Sequence, residues 1–175
     1  MCIRDRNKTA KTPLSVLDIG GGFPADYLLE GININDFFKP IRQELQHLPE
    51  DWHLLAEPGR YLIAPAVHSI TTVTGKSKRS GLFWYYLDDG VYGSYSGQIY
   101  DHTLYPLQVL KEGETHPCIL AGPTCDSIDV IAENIQLPEL EIGDLVIGLQ
   151  MGAYTAATKT RFNSLPDAKF VVLDK

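Results

Sequence analysis

Two short apolar runs, each cut off by residues that cannot continue a strand, constrain this chain most. Leu14 to Ile19 is ended by Gly20-Gly21-Gly22, and Trp52 to Ala56 by Glu57-Pro58-Gly59-Arg60. Apolar runs bounded in this way read as buried strands. Between them, Asp36 to Leu48 places Phe37, Phe38, Ile41, Leu45 and Leu48 on one side at helical spacing, and Pro49 closes the segment. Strand, glycine loop, helix, strand is the grammar of a parallel α/β unit, whose ligands sit at the carboxyl ends of the strands.

After about Pro65 the character changes. Val67 to Thr74 and Leu82 to Leu87 are rich in β-branched and aromatic residues, with Gly75 and a basic turn between them, which predicts an antiparallel pair. Cys118 to Ala121 and Asp144 to Leu149 continue this β-rich half, and Phe170 to Leu173 reads as a last strand. Thr155 to Thr160 is a brief helical candidate. The division falls near residue 65: an α/β part over 1–65 and a β domain over 66–175. There is no internal repeat and no low-complexity linker.

With 44% hydrophobic and 10% aromatic residues, a chain of 175 can bury a core, so disorder is excluded. Its 22 acidic against 15 basic residues give a net charge of -7 without a basic stripe. That argues against nucleic acid and suits a cationic small molecule. Tyr61 to Val67 and Leu145 to Leu149 fall far short of the roughly 20 apolar residues that span a bilayer. Met1 to Arg6 has charge but no apolar stretch behind it, so it does not read as a signal peptide. Cys2, Cys118 and Cys125 are an odd count at irregular spacing, which predicts reduced thiols and a cytoplasmic setting.

Several segments carry residues suited to chemistry. Gly20, Gly21 and Gly22 let backbone amides approach an anion such as phosphate, though a tight structural turn needs the same residues. The triplet is neither a Walker loop nor the spaced dinucleotide fingerprint. In Glu57-Pro58-Gly59-Arg60, the planar guanidinium suits phosphate and the carboxylate suits a protonated ring nitrogen. A helix-start ion pair is the plainer alternative. Gly122-Pro123-Thr124-Cys125-Asp126 sets a thiol beside a carboxylate after an apolar run; a thiol can deliver a proton to a carbanion, and a cysteine can equally be a small hydrophobe. His116, Cys118 and Cys125 match no usual zinc spacing, so no metal is expected. Tyr100-Asp101-His102 offers Asp101 for an ammonium group, or a solvated turn. Tyr154, after Gly152-Ala153, can reach phosphate with its hydroxyl, and Phe162 and Asn163 follow closely enough to line the same pocket.

Taken together, Leu17-Asp18-Ile19-Gly20-Gly21-Gly22-Phe23-Pro24, Glu57-Pro58-Gly59-Arg60, Gly122-Pro123-Thr124-Cys125-Asp126 and Met151-Gly152-Ala153-Tyr154-Thr155 resemble, in this order, the ornithine/lysine decarboxylase family. The resemblance runs from about Leu14 to Leu173 and corresponds to less than half of a full member. It implies the fold: the C-terminal part of a β/α (TIM-like) barrel binding pyridoxal 5'-phosphate, then a β-sandwich or barrel-like domain. It also implies the roles. Gly20, Gly21 and Gly22 would wrap the cofactor phosphate, Arg60 and Tyr154 would also contact it, Pro58 and Gly59 would be cofactor-binding, and Glu57 would pair with the pyridine nitrogen. Cys125 would protonate the carbanion, and Asp126 with Asp101, beside Tyr100 and Phe162, would hold the distal amine. Family members are homodimers with shared sites, into which Cys125 and Asp126 would reach, with Gly152 at the interface.

The implied reaction converts ornithine to putrescine, or lysine to cadaverine, in polyamine biosynthesis. Aspartate after the cysteine favours a terminal ammonium over the second carboxylate of diaminopimelate. One methylene separates ornithine from lysine and is worth only about 1 to 3 kcal/mol. Arginine or diaminopimelate decarboxylase relatives and a non-catalytic, dimerising homologue are the competing readings. The sequence departs from the family pattern at Ala25, at Tyr95-Ser96 and at Ser164. No strand bearing the cofactor's lysine precedes Leu14, and Lys8 and Lys11 lie too near the glycine loop to replace it. The ring-stacking histidine also has no counterpart. The chain alone is therefore expected to be inactive and poorly soluble.

Overall fold

The computed structural model describes residues 11–12 and 14–173. The expectations for Met1 to Arg6, Cys2 and Lys8 lie outside them. The chain divides into two compact units: residues 14–25 with 31–62, and residues 26–30 with 63–173.

In the first unit, strand β1 (Val16–Asp18) pairs in parallel with β2 (His53–Leu55), aligning Leu17 with Leu54. Helix α1 (Ile34–Leu45) connects them. It starts where Asn33, in extended conformation, accepts the Asn35 N–H at 3.1 Å, a side-chain cap that satisfies one of the helix's unpaired donors. The helix ends three residues earlier than the spacing predicts, and single turns carry the chain to Leu48. Pro40 lies inside it and removes one backbone donor.

The strands were expected to be buried, and they are not: Val16, Leu54 and Leu55 are 49%, 45% and 52% exposed. Among the described residues each strand pairs with one neighbour, and their remaining faces are exposed. Among the described residues of this unit Phe23 alone is buried, in contact with Phe37 and Phe38. Between β1 and α1 runs an apolar groove of about 600 Å³, lined by residues such as Leu17, Phe23, Phe37, Ile41 and Trp52.

The second unit is built on one six-stranded sheet, ordered β5-β8-β3-β4-β6-β7. Its strands are β3 (Ser69–Arg79), β4 (Leu82–Leu87), β5 (Leu107–Val109), β6 (Thr115–Ala121), β7 (Val130–Pro138) and β8 (Leu145–Gly148). The expected β3–β4 hairpin forms, but Gly75 is not its turn. β3 runs on to Arg79, which pairs with Leu82, and the turn is Ser80-Gly81, both at positive φ (49° and 87°). Two such residues match the twist of a hairpin. Gly75 instead lies at a bulge against the Tyr86 ring. β4 and β6 pair in parallel and every other pairing is antiparallel.

Val73, Tyr85, Leu87, Val91, Tyr95, Leu120, Leu140, Val146 and Met151 form the core. Its two fully buried tyrosines keep their hydroxyls partnered, as burial requires. Tyr85 accepts the Leu140 N–H at 3.0 Å, and Tyr95 shares a 3.1 Å bond with Ser69 Oγ. The departure at Tyr95 is thus accommodated by one hydroxyl partner.

Three short helical segments follow sheet strands: α2 (Gly59–Ile63) after β2, α3 (Gly97–Asp101) after β4 and α4 (Thr155–Thr158) after β8. The predicted last strand, Phe170 to Leu173, does not form. These residues are 70% to 86% exposed and have no strand partner. β-branched composition favours a strand only where a neighbour supplies the other half of the ladder.

Candidate active site

The candidate residues fall in both units. In the first, parallel pairing of β1 and β2 delivers the glycine loop and the Glu57 loop side by side at the carboxyl ends of the strands. Ile19 N–H donates to Leu55 O at 3.0 Å, and Glu57 N–H to Gly20 O at 2.8 Å. Asp18 bends the glycine loop by accepting the Gly20 N–H at 2.8 Å. Gly20 and Gly22 have φ of +69° and +80°, which other residues rarely adopt. At Gly21 the requirement is space, because a β-carbon there would lie 2.9 Å from Glu57 O.

Glu57 is exposed, and Arg60 is half-buried in α2, one residue inside its start. Neither lines the apolar groove of this unit, whose lining includes Gly21 but no basic residue. The glycine loop offers unobstructed left-handed backbone with a guanidinium three residues past Glu57. That donor set fits a phosphate.

In the second unit, the parallel β4–β6 pair aligns Tyr86 with Ala121. The loops that follow both strands therefore leave the same end of the sheet, at the carboxyl ends of β4 and β6. One carries Tyr92, and the other carries Cys125 and Asp126. Tyr92 donates its hydroxyl proton to Asp126 Oδ2 at 2.5 Å, and Ile128 N–H donates to Oδ1 at 3.2 Å. These bonds hold the Asp126 carboxyl below the usual carboxylate range, and the same short bond pushes the Tyr92 phenol up to about 12. The Phe162 ring lies on Tyr92 with centroids 4.4 Å apart, and Asn163 Nδ2 is 3.8 Å from Cys125 Sγ. Thiol, carboxylate, phenol and aromatic ring thus form one exposed cluster.

Sequence reasoning did not select Tyr92. The parallel placement of β4 beside β6 brings it in, and composition carries no sign of strand direction. Phe162 was expected to line a pocket with Tyr154; in the structure its ring lies against Tyr92 at an interplanar angle of 31°. Tyr154 is 51% exposed at the start of α4, with left-handed backbone (φ 62°). Tyr100 and Asp101 are exposed at the end of α3. The small cleft between the Tyr92 loop and Thr124 includes neither of them.

Within the chain, Gly152 packs closely against the backbone of Ile63 and Ala64. A β-carbon there would lie 1.7 Å from Ile63 O, and Gly152 N–H donates to Ala64 O at 3.0 Å. Cys118 is a core residue: burial raises its thiol to about 11, and its sulfur lies 3.3 Å from Ile135 O. Among the described residues, no three His, Cys, Asp or Glu side chains group so as to hold a metal ion. No helix of the described residues is long and apolar enough to cross a membrane.

A parallel pair ending in a glycine loop, and a mixed sheet whose end presents a thiol beside a held carboxylate, define a class already known from other proteins. The chain belongs to the family described as pyridoxal-dependent decarboxylase, C-terminal sheet domain, whose model matches residues 16–152. It is 40% identical over 163 residues to the lysine/ornithine decarboxylase of Selenomonas ruminantium, covering 92% of this chain and 41% of that protein. The lysine/ornithine decarboxylase of Vibrio vulnificus, solved in complex with cadaverine, is 52% identical and superposes with a TM-score of 0.92 over 99% of this chain and 48% of its own. The arginine decarboxylase of Paramecium bursaria Chlorella virus is 33% identical, with a TM-score of 0.81 over 94% of this chain and 45% of its own. The chain thus spans less than half the length of these relatives.

Proposed function

We propose that this chain supplies part of the active site of a pyridoxal-phosphate-dependent decarboxylase of L-ornithine or L-lysine, working within a longer protein. The observation that carries the reading is the Asp126 carboxyl, held acidic by Tyr92 next to the Cys125 thiol. A carboxylate kept ionised well below neutral pH suits the distal ammonium of a diamino acid. A thiol two atoms of backbone away suits delivery of a proton to carbon. The relative solved with cadaverine acts on such substrates by its name.

In this reading Gly20, Gly21, Gly22, Arg60 and Tyr154 hold the phosphate of the cofactor, Pro58 and Gly59 lie in the loop that lines its site, and Glu57 keeps its ring nitrogen protonated. When bound, the cofactor supplies an electron sink for the carbon that loses its carboxyl group. The chain's own residues do the rest. Asp126 and Asp101, with Tyr100 and Phe162, orient the diamino acid through its far end. Cys125 Sγ then gives its proton to the carbon left by carbon dioxide. Residues 1–65 contribute strands of a β/α barrel and residues 66–175 the β domain, in a cytoplasmic homodimer whose subunits share their sites.

The test uses the complete protein. It should release carbon dioxide from ornithine, lysine or both with pyridoxal phosphate present, and Cys125→Ala should abolish formation of the correct diamine. Release from arginine alone would favour the arginine decarboxylase reading, for which the likeness to the viral enzyme speaks. A cofactor-loaded protein inert to all three would overturn decarboxylation.

A further inference from the structure

The most deeply buried carboxyl group near this cluster is not Asp126 but Asp129, which is 2% exposed and has no role in the reading above. Its oxygens bridge the two loops. Oδ1 accepts the Val91 N–H at 2.9 Å from the Tyr92 loop, and Oδ2 accepts the Thr124 N–H at 3.0 Å from the Cys125 loop. Its backbone closes the second loop on itself. Gly122 N–H donates to Asp129 O at 2.8 Å, and Asp129 N–H donates to Asp126 O at 3.1 Å.

The chain is pared away around this carboxyl group. A β-carbon at Gly90 would lie 2.1 Å from Oδ1, and one at Gly122 would lie 2.1 Å from Oδ1 and 2.4 Å from Oδ2. Neither glycine has a positive φ, so conformation does not demand them; room for Asp129 does. A second carboxyl group, Asp89, shapes the first loop by accepting the Gly90 and Ser94 N–H groups at 2.8 and 3.0 Å.

We infer that Asp129 is a positioning residue, a buried staple that fixes the loop of Cys125 and Asp126 to the loop of Tyr92 and so sets where the Asp126 carboxyl group points. The inference rests on the proposed decarboxylase reading. The Tyr92–Asp126 bond joins the loops between two half-buried side chains, within reach of water. The Asp129 bonds join them through a side chain that is itself buried, where hydrogen bonds are stronger and a missing partner costs more. Asparagine cannot replace this group. It offers one acceptor and one donor, so its amide would face either the Val91 or the Thr124 N–H donor to donor.

The experiment compares the complete wild-type enzyme with Asp129→Asn and Gly122→Ala. Gly122→Ala keeps every polar group and displaces only the Asp129 side chain. Two quantities are read: hydrogen exchange of peptides covering residues 88–96 and 122–130, and the ratio of kcat/KM for the preferred diamino acid to that for norleucine, which lacks the distal amine. The staple predicts faster exchange in both peptides and at least a tenfold fall in that ratio in both variants. General destabilisation would lower both substrates together and leave the ratio alone. Should Asp129→Asn fail to accumulate, Gly122→Ala carries the same test. An active wild type whose variants keep the ratio within twofold overturns the inference alone. A wild type inert to diamino acids overturns the reading beneath it as well.

Discussion

Replacing Gly152 with alanine should cost this fold about 2 to 4 kcal/mol, because the added methyl would meet backbone and not a side chain that can turn aside. The β-carbon would sit 1.7 Å from Ile63 O and 2.7 Å from Ile63 C. Ordinary carbon–oxygen contacts lie near 3.3 Å, so the two segments must separate by about 1.6 Å. The Gly152 N–H to Ala64 O bond, now 3.0 Å, would stretch to about 4.6 Å, beyond any hydrogen bond. The adjacent Met151 N–H to Val67 O bond of 2.9 Å would be strained with it. Two amide bonds lost near a buried methionine, at about 1 to 2 kcal/mol each, give the stated range. Urea unfolding of the complete protein, followed by circular dichroism, should show the midpoint falling with an unchanged slope. A loss under about 0.5 kcal/mol would refute the reasoning, since it would mean that Ile63 and Ala64 can yield without cost.

Three further expectations follow from the same geometry. Ser164 has φ of 56°, so Ser164→Gly should stabilise by about 0.5 to 1 kcal/mol, read as a raised melting temperature. Gly21→Ala should push the glycine loop off Glu57 O and weaken cofactor binding by tenfold or more, checked by titrating the complete apo-protein with pyridoxal phosphate. The Tyr92–Asp126 bond predicts opposite behaviour at the two ends of the pH scale. The Asp126 carboxyl group is depressed on folding, so its contribution is present above its unfolded value and fades as pH falls through the folded one. The Tyr92 phenol is raised from 10 to about 12, so its contribution is present below 10 and is lost as pH climbs towards 12. Tyr92→Phe should flatten both limbs and remove one phenol that ionises near 12 in absorbance at 295 nm.

The parallel unit was legible in the sequence because Gly20 to Gly22 and Pro58-Gly59 stop apolar runs abruptly. Burial of those strands was not, because it depends on what packs on their outer faces and not on their own composition. The β3–β4 pair was legible from its β-branched and aromatic residues, while its turn was misplaced because Gly75 drew attention from Ser80-Gly81. β7 escaped notice: Glu133-Asn134 breaks its apolar pattern, and Asn134 sits at φ 56° inside the strand. Cys125 and Asp126 stood out in the sequence because they are adjacent. Tyr92 and Asp129 could not, since one enters through a parallel strand pairing and the other through backbone bonds to two loops.

The central claim is that Asp126 reads the far ammonium group of a diamino acid. The most direct test measures kcat/KM of the complete protein for lysine, ornithine and norleucine, before and after Asp126→Asn. Loss of preference for the diamino acids, with the norleucine rate little changed, is the predicted result. Equal losses for all three, or a preference that survives the substitution, would place recognition of the distal amine elsewhere.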